Sequence, residues 1–199
     1  MNVDIDVPFL PLDDFSAIAE HFLREYGVWG RVPVPIEEIV EFGLGLDIIP
    51  IPGLKQGYGI DAFMAVDLQS ITVDEYVYAR VENRYRFSLA HETAHLVLHR
   101  DLFPPSDEQT IDGYMARVRN MSETAYTRLE WQADELAGQI LVPQPQLRER
   151  FLEASRMAEQ YGLSPNGEAL YYIANYLGRQ FKVSSKTMEI RIKRDALAM

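Results

Sequence analysis

The stretch Tyr85–Arg100, YRFSLAHETAHLVLHR, limits this chain more than any other. Of four histidines in the protein, three stand here, at 91, 95 and 99, beside Glu92. Leu89, Ala90, Ala94, Leu96, Val97 and Leu98 surround them, which predicts a helix apolar nearly all round and therefore buried. Imidazoles and a carboxylate in such a helix need partners, because unpaired polar groups cost several kcal/mol. The segment HETAH fits His-Glu-x-x-His. At a helical repeat, positions i and i+4 share a face, so His91 and His95 can address one metal ion. A hydrogen-bonded cluster without metal is the other way to satisfy them.

Zn²⁺ suits two neutral imidazoles and activates a bound water. Glu92 projects beside them as a general base for that water, attacking a carbonyl. His99 repeats the four-residue step, but along an unbroken helix it stands about 12 Å from His91, too far for a shared ion. It is expected to be a helix C-terminal residue, favourable when charged. His21 is expected at the surface or the core edge.

A third ligand must then come from elsewhere. TRLEWQADELAGQILVP predicts a helix with Leu129, Ala133, Leu136, Ala137 and Ile140 on its apolar face. Glu130 and Asp134 lie four apart on one flank, beside the small Ala133 and Ala137. Either they are a solvated pair, or Glu130 ligates while Asp134 accepts a proton from the far nitrogen of a ligand histidine.

Before the histidine helix, the pattern predicts a helix over 14–27, capped by Asp13 or Asp14, and a short one after Pro35. A strand LDIIPIP, a glycine-containing loop GLKQGYG, and a hairpin AFMAVD/SITVDE turning at Leu68 and Gln69 follow. Helical character from Tyr76 runs into the histidine motif. A polar loop covers 99–113, a helix starts near Ser122 and stops at Pro143, another covers 146–161, and two more, joined at FKVSS, close the chain. The class is α+β, mostly helical with a small antiparallel sheet. The expected division is a core over 1–145 and a helical, helix-turn-helix-like segment over 146–199.

Charge narrows the partners. The net charge is −11, but residues 1–164 carry −14 while 165–194 carry +4. An acidic body repels phosphate backbones. The basic tail, with Lys186, Arg191, Lys193 and Arg194 after Ser184–Ser185, is a thin footprint for DNA. There is no cysteine, which removes thiol chemistry and suits a cytoplasmic setting. The N-terminus does not read as a signal peptide, and no apolar run reaches the roughly 20 residues of a membrane helix.

The blocks RYRFSLAHETAHLVLH and EWQADELAGQILVP, through Arg86, Phe87, Ala90, His91, Glu92 and His95, then Glu130, Ala133, Asp134, Leu136, Ala137 and Pro143, resemble the ImmA/IrrE family of bacterial metallopeptidases. The resemblance implies a zincin-like fold, Zn²⁺ on His91, His95 and Glu130, Glu92 as the catalytic glutamate, and an antirepressor that cleaves or disarms a helix-turn-helix repressor. Asp134 stands where the family usually has Asn, and Gln132 where a second Glu is common. Two other functions remain open: a metal-containing module that sequesters its partner without cutting, and a DNA-binding regulator. Tyr114, Tyr126 and Arg191 are candidates by type for stabilising an oxyanion, and the strand SITVDE is a candidate edge for an extended substrate.

Overall fold

A computed structural model describes residues 6–102, 111–165, 167–195 and 197, with the side chain of residue 117 outside that description. Helix α1 (Leu12–Glu25) starts two residues earlier than its acids predicted: Pro11 occupies the N-cap, and Asp13 and Asp14 fall in the first turn, where they face the positive end of the helix. Phe15, Ala19, Phe22 and Leu23 form its buried stripe, while His21 is exposed. The short α2 (Ile36–Glu38) continues as a π-helical turn through Gly43.

The sheet differs from expectation. Strands β1 (Asp47–Ile51), β2 (Ala62–Met64) and β3 (Ser70–Asp74) are ordered β1-β3-β2. The β2–β3 hairpin is antiparallel, but β1 runs parallel to β3, so the sheet is mixed. The chain crosses from one edge to the other through α3 (Leu54–Tyr58), a helical turn where a loop was expected. Only the hairpin is a local feature of the sequence. Which edge β1 takes is settled by packing. SITVDE therefore has no open edge, since β3 is the central strand.

Asp74 ends β3 and caps α4 (Glu75–Arg80), its carboxylate accepting from the backbone N–H groups of Lys55, Tyr76 and Val77. The helix expected from Tyr76 onward is broken once. Val81 adopts φ −130° and ψ 66°, and α5 (Glu82–His99) starts afresh behind it. A one-residue break leaves the apolar periodicity nearly intact, so the sequence conceals it. Arg86 pins α5 by donating to the Val34 and Lys182 carbonyls. A 3₁₀ turn (Arg100–Leu102) leads toward residues 103–110, where most of the expected polar loop lies outside the described residues. Helix α6 (Ile111–Arg119) starts in the last residues of that stretch, runs on beyond it and was not anticipated.

Helix α7 (Glu123–Leu141) begins at Ser122, whose hydroxyl accepts from the Ala125 N–H. Ala90 and Ala94 on α5, and Ala133 and Ala137 on α7, are wholly buried. Side chains this small let two helix backbones approach closely. Helices α8 (Gln144–Gln160), α9 (Ala169–Phe181) and α10 (Ser185–Arg194) follow. One cluster of buried residues extends from Phe15 through Leu89 and Leu136 to Ile192.

The turn 182–184 between α9 and α10 is tight: a Cβ at Gly178 would sit 3.0 Å from the Val183 carbonyl oxygen. The basic side chains here are largely committed. Arg191 is buried against Asp195, Gln139 and the Val142 carbonyl. Lys182 pairs with Glu82, Lys193 with Glu189 and Arg194 with Glu135. Among the described residues, no helix is long and apolar enough to cross a membrane.

Candidate metal centre

Helices α5 and α7 bring together the residues that spacing had singled out. His91 Nε2 and His95 Nε2 are 3.1 Å apart. Glu130 on α7 places one carboxylate oxygen 3.4 Å from His91 Nε2 and the other 3.4 Å from His95 Nε2. Donors about 2.1 Å from one ion at tetrahedral angles stand about 3.4 Å from one another. Each imidazole faces a different Glu130 oxygen at a separation of that order, and two imidazoles with a carboxylate are a donor set that Zn²⁺ accepts. Among the described residues, this is the group of three whose donor atoms all lie within 4.8 Å of one another.

Electrostatics leads to the same point. Burial alone would depress the His91 imidazole, yet the Asp134 and Glu130 carboxylates, with Glu92 nearby, carry it well above the ordinary histidine range. Burial would raise Glu130, but the His91 and His95 imidazoles beside it pull it below the usual carboxylate range. The cluster attracts positive charge to the space between its donors. A proton held there is what a cation would displace.

The surroundings orient these groups. Asp134 Oδ1 stands 2.9 Å from His91 Nδ1, on the ring edge opposite Glu130. Glu92 is buried, and its Oε2 accepts from the Met64 N–H at 2.8 Å. Met64 ends β2, an outer strand of the sheet, so one backbone N–H of that strand is spent on Glu92. A largely apolar cavity opens beside Glu92, His95 and Glu130, with Tyr114 and Tyr126 in its lining. Burial and the charges of Glu130 and Glu92 raise the Tyr126 phenol, which keeps it a proton donor. Of the three residues considered for an oxyanion, these two reach the cavity, whereas Arg191 is tied into the α7–α10 packing.

His99 departs from expectation. It ends α5, but it is 1% exposed, and its partners are an imidazole and an amide oxygen rather than a carboxylate, an environment that favours the neutral ring over a charged helix terminus. Burial, with only partial opposition from Gln132, pushes it down to about 4. Its Nδ1 meets His95 Nδ1 at 3.0 Å and its Nε2 meets Gln132 Oε1 at 2.9 Å. Spacing showed that His99 could not share the ion, but not that it touches a residue that can. Gln132 stood out in the sequence only as a departure from the resembled family's pattern, with no role attached.

A family model described as Peptidase_M78, IrrE N-terminal-like domain, matches residues 79–193. A solved structure described as a Mycobacterium tuberculosis transcriptional regulator is similar, with a TM-score of 0.56 and 22% sequence identity. The match covers 90% of this chain and 55% of that one, so this chain spans about half the regulator's length. At that identity the likeness is one of fold. No curated protein matches the chain.

Proposed function

The chain belongs to the Peptidase_M78 family, the IrrE N-terminal-like domain, and from that premise we propose that it is a zinc-dependent endopeptidase acting on a helix-turn-helix transcriptional repressor. The observation that carries this is the convergence of His91 Nε2, His95 Nε2 and the Glu130 carboxylate, with contacts of 3.1–3.4 Å and Glu92 beside them. Those three residues would hold Zn²⁺, which when bound supplies Lewis acidity to a water and to the scissile carbonyl.

The remaining chemistry belongs to the chain. Glu92 is the general base: with one oxygen held by the Met64 N–H, its carboxylate takes a proton from the attacking water. The water oxygen bonds to the carbonyl carbon, the carbon–nitrogen bond breaks, and Glu92 returns the proton to the leaving amine. Asp134 orients His91. The Tyr114 or Tyr126 phenol, in the lining of the same cavity, donates to the carbonyl oxygen as it gains charge.

Two features support a repressor as substrate. The residues shared with the ImmA/IrrE family imply a regulatory setting in the cytoplasm. The −14 body repels DNA and attracts the basic face of a DNA-binding protein. Co-expression with a repressor encoded beside this chain, followed by mass spectrometry, is expected to reveal one new repressor N-terminus. Glu92→Gln keeps an acceptor for the Met64 N–H and should bind zinc while abolishing the cut. Equal derepression by wild type and Glu92→Gln, with the repressor intact, would replace cleavage by sequestration.

A further inference from the structure

Four contacts run in series behind the metal ligand His95. The Pro8 carbonyl accepts from Gln132 Nε2 at 2.7 Å. Gln132 Oε1 meets His99 Nε2 at 2.9 Å, His99 Nδ1 meets His95 Nδ1 at 3.0 Å, and His95 Nε2 faces His91 and Glu130. Gln132 and His99 are each 1% exposed, so bulk water cannot stand in for either.

We propose that Gln132 and His99 are positioning residues that hold His95 in the one tautomer able to ligate a metal, and that the N-terminal segment at Pro8 sets the direction of this relay. The proposal rests on the zinc reading of the site. The roles follow by elimination. A proline carbonyl can only accept, so the Gln132 amide must turn its NH₂ toward Pro8 and its oxygen toward His99. That oxygen can only accept, so His99 Nε2 carries a proton. A neutral imidazole has one donor and one acceptor nitrogen, which leaves His99 Nδ1 as an acceptor. His95 Nδ1 must then donate, and His95 Nε2 presents its lone pair to Glu130 and His91, where the ion would sit.

A reversed amide would reverse every step and put a proton on His95 Nε2. A carboxylate at position 132 could not reverse, because both its oxygens accept. A glutamine needs an external reference, and in this chain the backbone of residues 7 and 8 provides it. Arg128, one turn earlier on α7, donates to the Val7 carbonyl at 2.7 Å, and Val7 is buried with Ala125 and Leu129. The N-terminal segment is thus seated on the helix that bears Glu130, and its seating reaches His95 through two side chains.

The test uses the full chain and Zn²⁺ itself, with affinity measured by chelator competition. The ¹⁵N imidazole spectrum of metal-free protein reports the tautomers, and four histidines make it assignable. In the wild type the proton is expected on His95 Nδ1 and His99 Nε2. Gln132→Leu should mix the His95 tautomers and lower zinc affinity ten- to a hundredfold. His99→Phe, which keeps ring volume, should lower it as much. Arg128→Leu should weaken zinc binding with Gln132 present but add nothing once Gln132→Leu has removed the relay. The proposal is overturned if Gln132→Leu binds zinc like wild type with the His95 proton unmoved. It is equally overturned if Gln132→Leu weakens zinc binding while the His95 proton stays on Nδ1, which would indicate lost packing. A wild-type chain that binds no zinc would remove the metal reading, and the ¹⁵N pattern would still decide the relay.

Discussion

Asp134 and Gln132 both stand behind a ligand histidine, one in solvent and one in the core, and the contrast can be measured. Asp134→Ala removes the acceptor 2.9 Å from His91 Nδ1 and leaves the three ligands in place. Losing such a partner costs about ten- to a hundredfold in metal affinity, or about 1.4–2.7 kcal/mol at 1.36 kcal/mol per decade. What can replace the partner decides the position within that range. The Asp134 side chain is 58% exposed, so solvent already screens its charge, and a water can occupy the vacated acceptor position. Asp134→Ala is therefore expected near the tenfold end. Gln132→Leu, at a position 1% exposed, belongs near the hundredfold end. Asp134→Asn keeps an oxygen acceptor and should stay within about threefold of wild type. The fold should not suffer, because alanine is the better helix former by about half a kcal/mol and the site is exposed. The assay is zinc competition at fixed pH and ionic strength, with a urea midpoint in chelator as the control for folding. If Asp134→Asn loses as much as Asp134→Ala, the charge and not the hydrogen bond orients His91. If Asp134→Ala costs a hundredfold, solvent does not substitute as argued.

Three further outcomes follow from the structure. His91 is held above the ordinary histidine range in the metal-free cluster, so its stabilising contribution is complete below the usual imidazole pKa and is lost as pH rises through the raised value. Zinc must expel that proton, so the urea midpoint gained on adding zinc should grow as pH climbs from neutrality, and a flat difference would contradict this. Gly178→Ala places a Cβ 3.0 Å from the Val183 carbonyl oxygen, in a tight turn that cannot give way easily, and is expected to destabilise by about 1 kcal/mol despite the better helix propensity. Duplex DNA at physiological ionic strength should show no shift with the purified protein, because Lys182, Arg191, Lys193 and Arg194 are paired with carboxylates. A salt-sensitive shift there would revive the DNA-binding function.

Much of the site was legible because its information is local. The His91–His95 step and the Glu130–Asp134 step are each one helical turn, and 3.6 residues per turn assigns faces without knowledge of the fold. The Ser122 cap and the β2–β3 hairpin were visible for the same reason. His99 shows the limit: its place at the end of α5 was readable, but its burial and neutrality depend on Gln132, 33 residues further on. The missed helices α3 and α6 are short, of 5 and 9 residues, and carry too few turns for a periodic signal.

From sequence alone came two helices bearing the right donors, an acidic body and a basic tail. Tertiary packing decided how those parts are used. It placed β1 parallel to β3, fastened Glu92 to the Met64 N–H, tied Gln132 to Pro8 across 124 positions, and paired Lys182, Arg191, Lys193 and Arg194 of the tail with nearby carboxylates. The physical reason is that backbone periodicity acts over a few residues. A buried donor, by contrast, must find an acceptor wherever the close-packed core provides one, and that choice has no local signature.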